Sequence, residues 1–121
     1  MTKILVTLTL LFSTLAFAGG PDCKFENSDD TVHAFTPDGN NWTMTYVENG
    51  KTLEFAVNSI HWDLEDAGEY SNSFNSVNVE NNLVGILSLV SVDQIESAGF
   101  FTVVKPDGTM SRRPVTCTEY E

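Results

Sequence analysis

Positive charge is what this chain has least of. Six lysines and arginines stand against 17 aspartates and glutamates in 121 residues, a formal net charge of −11. So acidic a body repels nucleic-acid phosphates and anionic lipid surfaces, which excludes nucleic-acid binding, and it attracts cations and basic partners. Cysteine is nearly as scarce. Only Cys23 and Cys117 occur, too far apart for the Cys-x-x-Cys spacing of a redox pair, so neither a catalytic thiol nor a cysteine-rich metal site is expected. The two histidines, His33 and His61, have no recognisable partner pattern, and no serine sits in a Gly-x-Ser-x-Gly elbow, so the usual nucleophile–base constellations are missing. Linkers, low-complexity tracts and internal repeats are also absent, apart from one shared turn formula. These absences lead us to expect no catalytic residue, no metal and no cofactor.

One long apolar stretch is present, and it stands at the very start. Lys3 supplies a positive leader, Ile4 to Phe12 an apolar segment broken by Thr7 and Thr9, and Ala16-Phe17-Ala18 a small-x-small cleavage pattern, together the features of a secretory signal. The segment is shorter than the ~20 residues a membrane span needs, and Gly19, Gly20 and Pro21 follow it. Residues 1–18 are therefore read as a signal peptide and 19–121 as a single domain, secreted or periplasmic, with no integral membrane segment once the signal is removed. Loss of Lys3 would take the net charge from −11 to −12, which favours a soluble monomer. In an oxidising compartment one cysteine pair reads as a disulfide, here tying Cys23 near the new start to Cys117 near the end. Closing so long a loop is worth on the order of 4 kcal/mol.

The body alternates like a β protein. In "WTMTYVENGKTLEFAV" two alternating runs flank Asn49-Gly50, a pair suited to the positive φ angles of a type I′ turn. With Glu48 facing Lys51, Tyr46 opposes Leu53, Met44 opposes Phe55 and Trp42 opposes Val57, all on one face. Pro37-Asp38-Gly39 and Pro106-Asp107-Gly108 share a turn formula that reverses the chain on each side. The first makes residues 31–57 a three-stranded meander with "TVHAF"; the second joins "GFFTVV" to "TMSRRPVTCTEY", where Pro114 suits a bulge or an edge. Ile60, Trp62 and Leu64 suggest a further strand with those three side chains in the core. "SVNVENNLVGILSLV" reads as a hairpin, with Val77 and Val79 leading to Asn81-Asn82 and a buried run from Leu83 to Val90. Ser91 and Gln94 have capping-box spacing, so at most one short helix is expected, over "SVDQIESAGF". The fold class is thus all-β: a small antiparallel barrel of about seven to eight strands, with a β-sandwich as the alternative.

Chemistry-bearing side chains concentrate in "HWDLEDAGEY", residues 61–70. His61 and Asp63 share one face of a strand, but a defined metal site wants three or four converging ligands and the spacing fits neither a zinc motif nor a calcium loop. A solvated strand running into an acidic loop explains the segment. The rings of Trp42, Tyr46, Phe55 and Trp62 are candidates for a sugar or lipid pocket inside the barrel, and equally for plain core. Arg112-Arg113 is the only cationic cluster and is expected to pair with carboxylates of the same domain. Asn41-Trp42-Thr43 matches a glycosylation acceptor.

Residues 67–71, Ala67-Gly68-Glu69-Tyr70-Ser71, resemble the serine-glycine-x-x-tyrosine segment of the periplasmic inhibitors of C-type lysozyme, exported disulfide-closed β-barrels of this size. Here Ala67 replaces that family's serine, and the tryptophan-rich stretch expected downstream is missing. The resemblance implies that Tyr70 and Ser71 lie at a contact surface. Taken together, the sequence leads us to expect an exported acidic module that binds and does not catalyse. Its expected docking residues for a basic protein are Glu65, Asp66, Glu69, Tyr70 and Ser71, with Asp29 and Asp30. The alternatives are an inhibitor of a basic exported hydrolase and a small hydrolase or metal-dependent enzyme whose site follows no familiar pattern.

Overall fold

A computed structural model describes residues 18–64, 70–91 and 96–119. They form eight antiparallel strands: β1 (Ala18–Phe25), β2 (Thr31–Thr36), β3 (Thr43–Glu48), β4 (Lys51–Leu64), β5 (Tyr70–Asn78), β6 (Leu83–Ser91), β7 (Glu96–Val104) and β8 (Met110–Glu119). Each pairs with the next, and β8 pairs back to β1, so the sheet closes into an up-and-down barrel. Closure leaves no free edge to template aggregation, and it decides for a barrel over a sandwich.

The turns follow the sequence chemistry. Asn49 and Gly50 take φ of 52° and 79°, and the β3–β4 register pairs Glu48 with Lys51, Tyr46 with Leu53 and Met44 with Phe55 as expected. In both Pro-Asp-Gly turns the glycine N–H closes the turn, from Gly39 to the Thr36 carbonyl and from Gly108 to the Lys105 carbonyl. Pro114 lies one residue beyond the last β1–β8 pair, Phe25 with Val115, a local edge.

Cys23 and Cys117 are directly opposed across the β1–β8 seam and form a disulfide. The bond locks the one pairing that joins the two ends of the chain. It is a bond compatible with an exported protein.

Side chains occupy the interior, which is about what an eight-stranded barrel accommodates. Phe101 is central: its ring lies 4.8 Å from Tyr46, 6.0 Å from Phe55 and 6.2 Å from Phe25, while Phe74 meets Trp42 at 5.5 Å. Tyr46 and Phe55 are therefore core residues and not pocket walls, and Trp42 packs half-buried against that core.

Three expectations are corrected. The separate strand at 60–64 is the second half of β4, whose pairing with β5 shifts by one residue between Val57 and Ser59; a bulge carries the strand on where a break was expected. Trp62 lies on the inward face, paired with Asn72, but at the open mouth, where it is 59 % exposed. The run Leu83–Val90 alternates instead of being buried throughout: Leu87 and Leu89 point inward, while Val84 and Val90 are exposed, because a barrel strand has one face outside. On β5 the inward positions are likewise Phe74, Ser76 and Asn78, while Val79 is 83 % exposed. The described residues hold no helix, within the expected limit of at most one: Ser91 ends β6 and Glu96 already begins β7. Residues 92–95 lie outside the described residues.

Candidate functional site

Up-and-down topology gives the barrel two unlike ends. At the hairpin end the connections 26–30, 49–50, 79–82 and 105–109 are short turns. At the terminal end leave the connections 37–42, 65–69 and 92–95, together with the start of β1 and the end of β8.

The hairpin end is closed by a polar cluster. Arg113 Nη1 donates to Asp30 Oδ2 at 2.9 Å and to the Tyr46 hydroxyl at 3.0 Å, and its guanidinium lies 4.0 Å above the Phe25 ring. Asp30 Oδ1 accepts from the Asn49 N–H at 2.9 Å, which ties the β1–β2 loop to the β3–β4 turn. That backbone donor and the guanidinium hold the Asp30 carboxyl below the usual aspartate value. Burial pushes the Tyr46 phenol up. Asp30 is only 7 % exposed. Its carboxylate is thus spent inside the fold, while the neighbouring Asp29 is exposed. Asn78 completes this end, accepting from the Asn81 N–H at 2.7 Å and donating to the Glu54 carbonyl at 2.8 Å.

The terminal end has a different electrostatic character. Lys24, Lys51, Lys105, Arg112 and Arg113 all fall in the hairpin-end half of their strands or in its turns. Among the described residues, none of the terminal-end half is a lysine or arginine, and Asp38, Asp63 and Glu96 are exposed there. In sequence, the connections leaving this end add Glu65, Asp66, Glu69 and Asp93. The expected docking residues Glu65, Asp66 and Glu69 lie outside the described residues. The Leu64–Tyr70 pair from which their connection departs belongs to this end, opposite to Asp29 and Asp30. Tyr70 opens β5, and Ser71 is half-buried opposite Asp63.

His61 Nε2 lies 3.1 Å from Asp63 Oδ2, both side chains well exposed on the outer face. Among the described residues no three histidine, cysteine, aspartate or glutamate side chains converge as metal ligands. His61 instead borders a groove of about 640 Å³ that crosses the outside of β5–β8. Ser73, Ser88, Val90, Phe100 and Pro114 line it. Val90 is 48 % and Phe100 39 % exposed, and the Arg112 guanidinium caps Phe100 at 4.0 Å. β6 and β7 approach closely here: a Cβ at Gly99 would collide with the Ser88 carbonyl. Sequence reasoning missed this groove. The signal was Phe100-Phe101, since adjacent residues of a barrel strand face opposite sides and one of the two rings must be outside.

Compared with protein families, with curated proteins and with solved structures, the chain matches none.

Proposed function

We propose that the protein is an exported, non-catalytic binding module that holds a basic protein at the terminal end of its barrel. The observation that carries this reading is the partition of charge. Among the described residues the lysines and arginines of the barrel are confined to one half, while Asp38, Asp63 and Glu96 are exposed in the other. Such an end steers and retains a cationic partner, with a strong dependence on ionic strength because the groups are exposed.

Within this class, inhibition of a basic exported hydrolase is favoured by one further feature. The segment Ala67–Ser71 runs from the acidic connection into the first residues of β5, at the end we assign to the partner. The test is binding of a basic C-type lysozyme and of an acidic protein of similar size to the immobilised, oxidised protein, at about 20 and about 300 mM salt, bracketing strong and weak screening. Capture of the basic protein alone, released by salt, is the expected result. Equal capture of both, or of neither, would remove the electrostatic reading.

A further inference from the structure

The groove on the outer face is continuous with the acidic end, and its occupant follows from what surrounds it. His61 and Ser73 are cross-strand partners, as are Asp63 and Ser71, and all four lie on the outward face. Ser71 and Ser73 line the groove. Glu96 lies on the same face as Ala98, two residues along β7, and Ala98 is also part of the lining. Residues two apart on one face of a strand are separated by about 7 Å, so Asp63 and Glu96 stand at the rim toward the terminal end, one side-chain length from the apolar floor. At the opposite rim, toward the hairpin end, Arg112 covers Phe100.

The floor is apolar, the terminal-end rim carries Asp63 and Glu96, and the hairpin-end rim carries both Arg112 and Glu26, which sets the chemistry of what fits. A second copy is a poor occupant, since each chain carries −11 and two copies repel. We infer that this groove takes an apolar side chain of the basic partner, leucine- or tryptophan-like, flanked by lysine or arginine on the side facing Asp63 and Glu96. The inference rests on the proposed function and adds the partner's anchor to it. Energetically it supplies what exposed charges lack: rim carboxylates govern encounter and salt dependence, whereas a desolvated anchor governs residence.

The test uses the purified, oxidised protein and three fluorescein-labelled peptides read by anisotropy. One has a Leu-Trp-Leu centre flanked by lysines, one a Ser-Gly-Ser centre with the same lysines, and one the Leu-Trp-Leu centre flanked by glutamates. Ala98→Gln and Ser88→Gln fill the groove without adding charge, and both sites are on the outer face. Retention of the parent's thermal transition establishes that the variants fold. The lysine-flanked apolar peptide should bind at least about tenfold more tightly than the other two, about 1.4 kcal/mol. Each groove-filling variant should cancel that advantage, and Asp63→Asn with Glu96→Gln should flatten its salt dependence. If both lysine peptides bind alike and the glutamines change nothing, the groove is not the anchor site, although the acidic-end reading stands. If the glutamate-flanked peptide binds as well as its lysine counterpart, the groove holds apolar residues but the basic-partner reading fails. If no peptide binds at millimolar concentration, both fail.

Discussion

The two ends of this barrel use carboxylates in opposite ways. At the hairpin end Asp30 is buried, receives an arginine and a backbone N–H, and joins two connections into one rigid corner. Across the barrel, Asp63 and Glu96 are exposed, Asp63 beside His61, and among the described residues no lysine or arginine lies in their half. A buried carboxylate with internal donors serves the fold; an exposed one stays accessible from solvent. A binding surface is best sought where carboxylates face solvent.

The contrast can be broken at either end. The largest effect belongs to the core that both ends share: Phe101→Ala removes the ring on which Tyr46, Phe55 and Phe25 pack and should cost about 3–5 kcal/mol in urea unfolding. Next comes the hairpin-end corner. Arg113→Ala strips Asp30 and Tyr46 of their shared donor and should destabilise several times more than Arg112→Ala, which loses one exposed cation–π contact worth about 0.5–1 kcal/mol. Three carboxyls, two at this end and Asp38 at the other, predict the acid response. Asp30, Asp38 and Asp107 each have a carboxyl held below the usual aspartate value, by the backbone N–H groups of Asn49, of Asn41 and Asn40, and of Thr109 respectively. A lowered native value contributes stability that is complete above the unfolded-state value of about 4 and is lost as pH falls through the native one. The urea midpoint should therefore hold between pH 7 and 5 and drop below about 4, less steeply in Arg113→Ala. Smallest is Trp62→Ala at the open mouth, expected to cost under about 1 kcal/mol despite the size of the side chain.

Local chemistry made much of this fold legible. Asn49-Gly50 and the two Pro-Asp-Gly turns set their own geometry, and hydrophobic alternation then placed Met44, Tyr46 and Phe55 inside. The disulfide followed from the presence of just two cysteines, one near each end of the sequence. What failed needed information from outside the strand concerned. β1 was missed because "AGGPDCKF" is rich in residues with poor strand propensity; neighbours on both sides and the disulfide hold it in the sheet. Trp62 has the right parity for the core, but parity does not say where the barrel stops. Of the site, the residue types were legible and their grouping was not, since only closure shows that Asp30 and Asp63 belong to opposite ends and that Arg113 answers Asp30 across 83 positions.

The central claim is that the terminal end, and not acidity in general, holds the partner. The most direct measurement compares two triple reversals of equal charge, Glu65→Lys, Asp66→Lys and Glu69→Lys at the terminal end, and Glu48→Lys, Glu54→Lys and Glu80→Lys at the hairpin end, for binding of the basic lysozyme at low salt. The account predicts that the first set abolishes binding while the domain stays folded and that the second leaves most of it. Equal loss from both sets would show that net charge alone attracts the partner and that the two ends are not functionally distinct.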